Sequence, residues 1–210
     1  MKTQWDFSEQ GTIDSHGGKI WFGISGNRAS SETPLIVIHG GPGMSHHYLY
    51  PLSDLADKRP VIFYDQLDAG LSDQPNNPEN WHVSRFLLEV DDLRESLDLQ
   101  RVAIFGNSWG GTIAAAYAAR VPVGVEKLVL SSPLLNTDMW LRDNKVHREH
   151  LPEEALRVMR KCEEAAPASC KAFAKLIPDA RYVEFEGASH LTFVESRGKY
   201  IKTLRQFLTD

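Results

Sequence analysis

The chain has 210 residues, 42% hydrophobic and 24% charged, the balance of an ordinary globular protein able to bury one sizeable core. With 15 glycines and 11 prolines it is neither collagenous nor low-complexity, and 28 acidic against 23 basic residues (net charge −5) provide no overall basic field for nucleic acid or anionic lipid. No run approaches the roughly 18 consecutive apolar residues of a membrane span, and Met1 to Gln10 lacks the basic-then-apolar pattern of a secretion signal, so the expectation is one cytoplasmic domain over residues 1–210 with no nucleic-acid or membrane partner.

In chain order, residues 18–25 follow the Gly17-Gly18 turn and alternate apolar with polar, which predicts an antiparallel hairpin. After the polar loop Asn27 to Thr33 the pattern changes. Leu35 to Ile38, Val61 to Tyr64, Val102 to Phe105 and Leu128 to Leu130 are short, nearly continuous apolar runs, as expected of parallel strands covered on both faces. Between them, Phe86, Leu87, Val90, Leu93 and Leu97 recur at helical spacing, and Gly111 to Arg120 is rich in alanine. Leu151-Pro152-Glu153-Glu154 reads as a helix start. A strand at Tyr182 to Phe185 and a helix holding Val194, Ile201, Leu204 and Leu208 close the chain. Alternating strand and helix predict an α/β sheet.

The strongest chemical signal is Gly106-Asn107-Ser108-Trp109-Gly110-Gly111, between the strand at 102–105 and the helix at 111–120. A strand that turns sharply into a helix forces its middle residue into a strained conformation and crowds the residues two before and two after it, where only small side chains fit. Gly106 and Gly110 occupy those places, which makes Ser108 the candidate nucleophile, with the Trp109 amide aimed at a developing oxyanion. His39-Gly40-Gly41-Pro42-Gly43 directly follows the strand at 35–38 and can supply the second oxyanion amide from Gly41. His39 itself reads as a structural residue of that loop.

His190, in Gly187-Ala188-Ser189-His190, is the candidate general base, since of the eight histidines it alone follows a predicted sheet strand after Ser108. His46 and His47 lie after the oxyanion glycines and read as solvated loop residues or as pocket lining. His147 and His150 have no third ligand in sight, and Cys162 and Cys170, eight apart, match no zinc or redox spacing and read as reduced thiols. No metal is expected.

Together with Tyr64-Asp65-Gln66-Leu67, Gly70 and Ser72, these motifs resemble the proline iminopeptidases, serine peptidases that remove an N-terminal residue, preferentially proline, from small peptides. The resemblance runs from about residue 18 over nearly the whole chain. It implies an α/β-hydrolase fold: a mostly parallel sheet flanked by helices, with an N-terminal antiparallel hairpin. It also implies no cofactor, and a small peptide, amide or ester as substrate. Asp68 stands where the family usually has glycine, so an altered backbone is expected there.

The length departs from the family. Its members place a helical cap after the strand matching 128–131, then another strand whose end carries the triad aspartate. Here residues 140–165 read as a vestigial cap, and Pro167 to Leu176 already resemble the helix that follows the aspartate. With that strand gone, the strands at 128–131 and 182–185 are expected to pair directly or to leave unpaired edges. The family aspartate lies four residues before a proline, and the same offset from Pro167 falls on Glu163, which is 27 residues before His190. Glu163 is thus the candidate acid; the same residue also reads as the solvated end of the cap helix, and Asp138 is the alternative. The expected activity is that of a proline iminopeptidase. The alternatives are a small-ester or lactone hydrolase with an open site, and an inactive truncated relative.

Overall fold

The computed structural model describes residues 6–134, 179–188 and 190–209. The expected hairpin is present as β1 (Glu9–Ser15) and β2 (Gly18–Ser25), antiparallel and in register from Glu9 opposite Ile24 to Ser15 opposite Gly18. The four apolar runs form β3 (Leu35–Ile38), β4 (Val61–Tyr64), β5 (Val102–Asn107) and β6 (Val125–Ser131). The six-stranded sheet has the order β1-β2-β4-β3-β5-β6, parallel from β4 through β6, with β2 antiparallel to β4. The helices are α1 (Val83–Ser96), α2 (Trp109–Ala118), α3 (Thr192–Glu195) and α4 (Arg197–Thr209).

The central runs are continuous because both faces of the sheet are covered. Ile36, Ile38, Ile62, Tyr64 and Ile104 point to one side, where Phe86, Val90 and Leu93 of α1 and Ile113 and Tyr117 of α2 meet them. The alternate residues Leu35, Val37, Val61, Phe63 and Phe105 point to the other, against Ile201, Leu204 and Leu208 of α4 and a 3₁₀ helix at His46–Leu55. Each large side chain buried in these layers contributes roughly 1.5–3 kcal/mol.

That 3₁₀ helix replaces the loop expected after the oxyanion glycines. His46, Leu49, Leu52 and Leu55 are buried at a spacing of three, the period of a 3₁₀ turn, so His46 faces the interior rather than solvent; His47, one position on, is exposed as expected.

At the other end of the chain, residues 181–185 form no strand, and among the described residues the sheet ends at β6. The expected strand at 182–185 is therefore corrected. The segment is fastened by side chains instead: Phe185 lies 5.3 Å from the Tyr200 ring, Lys199 stands over Phe185, and Arg181 stands over Phe207. Residues 140–165, read from the sequence as a vestigial cap, and with them Asp138, His147, His150, Cys162, Glu163 and Cys170, lie outside the described residues. Among the described residues, no helix is long and apolar enough to cross a membrane.

Topology selects where a site can form. The chain leaves β3 for β4 on one side, then returns past β3 to β5 on the other, so a crevice opens at the carboxyl ends of β3 and β5. His39 and Ser108 are the residues that follow those two ends.

Candidate active site

Ser108 has φ 54° and ψ −119°, the strained conformation expected where β5 turns into α2. A side chain at Gly106 would collide with the Gly110 carbonyl and place its Cβ 2.8 Å from Ala114 Cβ; one at Gly110 would place its Cβ 2.6 Å from the His39 carbonyl oxygen. The backbone of Ser108 is tied to the end of β6 and to the chain just beyond it. Its amide donates to the Ser131 carbonyl at 3.1 Å, and its own carbonyl accepts from the Gly111 amide at 2.9 Å and the Leu134 amide at 3.0 Å. Trp109 is the first residue of α2, among the positions whose amides have no intrahelical acceptor.

The glycine loop after β3 lies against this turn. A Cβ at Gly40 would stand 2.9 Å from the Tyr48 hydroxyl and 3.0 Å from Ser108 Cβ, so a side chain there would push on the serine turn. Gly41 has φ 123°, a conformation that a side chain would strain. Tyr48, on the 3₁₀ helix, joins the two loops. Its hydroxyl accepts from the Gly40 amide at 2.6 Å and donates to Asn107 Oδ1 at 2.8 Å, while Asn107 Nδ2 donates to the Ser131 carbonyl at 3.0 Å. Burial pushes the Tyr48 phenol up to about 12, so it stays a neutral donor.

His39 is buried, and both of its ring nitrogens are engaged by the main chain. Nε2 accepts from the Gln66 amide at 3.0 Å, which leaves the proton on Nδ1 to be donated to the Gly40 carbonyl at 2.9 Å. Burial pushes its pKa down. The structural reading of His39 agrees with this geometry. Gln66 extends the lattice, its Nε2 donating to the His39 carbonyl at 2.8 Å and its Oε1 accepting from the Trp109 indole at 3.1 Å.

The Asp65 carboxylate is buried and accepts from the His46 amide at 2.7 Å, His46 Nδ1 at 2.9 Å and the Leu71 amide at 2.9 Å. Burial alone would raise its pKa, but the His46 hydrogen bond and charge interaction, with the Leu71 amide, outweigh that and hold it below the usual carboxylate range. Gly70 is required because any Cβ there would run into this carboxylate. Ser72 accepts from the Trp21 amide at 2.8 Å and donates to the Asp65 carbonyl at 2.6 Å, tying the hairpin to the loop. Asp68 has φ 64°, a left-handed conformation that glycine also favours, and its carboxylate accepts from the Asn76 amide at 2.7 Å and the Trp81 indole at 2.9 Å. The loop backbone at Asp68 is thus one that glycine could also take, with side-chain bonds added.

His190 is half-buried, two residues before α3. Two connections run from its neighbourhood to the serine. Phe193, fully buried in α3, packs 5.9 Å from the Tyr48 ring, and the Tyr200 hydroxyl of α4 donates to Ser131 Oγ at 2.7 Å. Among the described residues no group of three His, Cys, Asp or Glu side chains stands close enough to hold a metal ion. Tyr48 is the member of this assembly that motif reading misses; Asn107 and Gln66 stand in the motifs, but with no role assigned to their side chains. A period of three over residues 46–55 marks His46, Leu49, Leu52 and Leu55 as inward and passes over Tyr48, whose role shows only in its contacts with Gly40 and Asn107.

A family model for the alpha/beta hydrolase fold matches residues 33–166. A proline iminopeptidase of Heyndrickxia coagulans is 40% identical over 168 residues, covering 80% of this chain and 58% of the relative. One from Lactiplantibacillus plantarum is 33% identical over 180 residues, covering 84% and 57%. The chain thus spans little more than half the length of these curated relatives. Among solved structures, a proline iminopeptidase from Mycobacterium smegmatis has a TM-score of 0.82 at 22% identity, covering 96% of this chain and 98% of that one. An enol-lactonase from Burkholderia xenovorans LB400 has 0.74 at 18%, covering 95% and 100%. At such identities these two structures speak to the fold alone.

Proposed function

Because the chain belongs to the alpha/beta hydrolase fold family, we propose that it is a serine hydrolase resembling proline iminopeptidase, releasing an N-terminal proline or similar residue from small peptides or amides. The observation that carries this reading is Ser108 at φ 54°, between two glycines that tolerate no side chain and against the Gly40 backbone. In the proposed reaction Ser108 Oγ attacks the carbonyl carbon and its proton passes to His190. The amides of Gly41 and Trp109 hold the oxyanion, and collapse expels the amine, which takes the proton from His190. Water, activated by His190, then attacks the acyl-enzyme, releases the acid and restores Ser108. Glu163 is assigned to orient the imidazole. The proline preference rests on the curated relatives.

The test is hydrolysis of a prolyl arylamide and labelling by a fluorophosphonate, with Ser108→Ala as the comparison. The wild type should cleave and be labelled, and Ser108→Ala should lose labelling and about 10⁴-fold or more in turnover. Glu163→Gln should lower kcat strongly at similar KM; an unchanged kcat would move the acid role to Asp138, with Asp138→Asn as the next variant. Cleavage of a p-nitrophenyl ester without the arylamide would make the protein an esterase. No cleavage of either, with no label on Ser108, would overturn the hydrolase reading.

A further inference from the structure

Beneath the Gln66 lattice lies a second buried polar cluster that the proposed reaction does not use. Arg85 and Glu89, one turn apart on α1, are 6% and 0% exposed, and Arg85 Nη1 donates to Glu89 Oε1 at 2.9 Å. The same Oε1 accepts from the Leu67 amide at 2.9 Å. Tyr64 lies in the same face of the core, also 0% exposed. Four polar atoms here have no hydrogen-bond partner among the described residues: Tyr64 Oη, Arg85 Nε, Arg85 Nη2 and Glu89 Oε2. A stretch of core that needed only packing would hold apolar residues more cheaply.

What the carboxylate touches gives the cluster a direction. Leu67 is adjacent to Gln66, whose amide is the donor to His39 and whose side chain spans the His39 carbonyl and the Trp109 indole. Phe86, between Arg85 and Glu89 on α1, packs edge-on to Trp109 at 5.8 Å. One helix face therefore supports Trp109 twice, directly through Phe86 and indirectly through Glu89, Leu67 and Gln66. We propose that Glu89, paired with Arg85, is a positioning residue for the oxyanion side of the site, holding the 65–67 segment and, through Gln66, the Trp109 indole and the ring and carbonyl of His39 that precede the Gly40-Gly41 loop. This rests on the hydrolase reading insofar as the Gly41 and Trp109 amides are assigned to the oxyanion.

The charged and titratable groups bearing on Glu89 are Arg85 and Asp92 on α1, with Tyr64 on β4. Burial pushes the Glu89 carboxyl up to about 7, against the pull of Arg85 and the Leu67 amide. The support it gives Gln66 thus changes character close to neutral pH, from a neutral acid below the midpoint to a carboxylate above it.

The experiment follows the Trp109 indole N–H resonance, assigned with Trp109→Phe, against pH in the wild type, Glu89→Gln and Glu89→Leu, alongside kcat and KM. The wild-type signal should show a step with a midpoint of about 7, and Glu89→Gln should lose it. Glu89→Leu, which leaves the Leu67 amide without its acceptor, should lower kcat about tenfold with little change in KM, and Glu89→Gln should recover most of that rate because its amide oxygen still accepts. An indole signal that titrates identically in wild type and Glu89→Gln overturns the proposal, as does a kcat unchanged in Glu89→Leu. Should Glu89→Leu fail to fold, the indole comparison with Glu89→Gln decides. The indole readout needs no turnover, so a wild type that neither cleaves nor labels would sink the hydrolase reading while the link from Glu89 to Trp109 is still measured.

Discussion

Ser108 and His190 are carried by parts of the molecule held in different ways. Ser108 ends a strand flanked by β3 and β6, and its own amide and carbonyl are bonded to Ser131, Gly111 and Leu134. Its neighbours Asn107, Gly40, Gln66 and His39 are buried or nearly so and joined by hydrogen bonds from three different loops. His190 follows a segment that joins no ladder and is fastened by ring and cation contacts to α4. A main-chain amide can be aimed only by fixing the backbone that carries it, and sheet ladders and buried hydrogen bonds do that. An imidazole is aimed by its side-chain torsions, and the short helix that follows His190 is anchored by packing, with the Phe193 ring edge-on to Tyr200 at 6.0 Å.

The contrast is sharpest where a change would break the backbone of the serine side. Gly106→Ala puts a methyl group into the Gly110 carbonyl and 2.8 Å from Ala114 Cβ, both on the first turns of α2. We expect a loss of about 3 kcal/mol or more, read as a fall in the urea midpoint. A variant as stable as wild type would show that the turn is not under the constraint described. Tyr48→Phe keeps the ring packing on Phe193 but removes the hydroxyl shared by the Gly40 amide and Asn107. Its expected cost is about 1–3 kcal/mol in chemical denaturation, together with slower fluorophosphonate labelling of Ser108. The smallest effect belongs to the histidine side. Arg197, at the start of α4, makes a two-pronged pair with Asp54 at 2.6 and 2.7 Å, but both side chains are well exposed. Arg197→Ala should cost about 0–1 kcal/mol, and less at high salt. A loss as large as that of Tyr48→Phe would mean that the two sides are held alike.

Much of the serine side is legible without coordinates, because its determinants are local. Continuous apolar runs specify strands covered on both faces, and a strand that turns directly into a helix crowds position 106 against the helix's own first turn, whereas the demand for glycine at 110 comes from the carbonyls of Ile38 and His39 at the end of β3. The role of Asp65 with Gly70 and Ser72 is visible only as a motif in the sequence, and becomes physical once His46, nineteen positions away, is found in contact with the carboxylate. His46 reads as a loop residue from its place after the oxyanion glycines, whereas it lies on a turn whose buried positions repeat at three.

The segment at 182–185 reads as a strand from its apolar and aromatic residues but forms none, since composition states which side chains can be buried and not whether a partner edge is in reach. By itself, then, the amino-acid sequence determined the hairpin, the four apolar strands, the turn at Ser108 and the need for glycine at 106, consequences of local patterning and of sterics within a few residues. Only the tertiary structure decided that Tyr48 joins Gly40 to Asn107 and that Glu89 reaches the Leu67 amide. Those contacts join residues brought together by the crossing of the chain past β3, and no local preference of either partner encodes them.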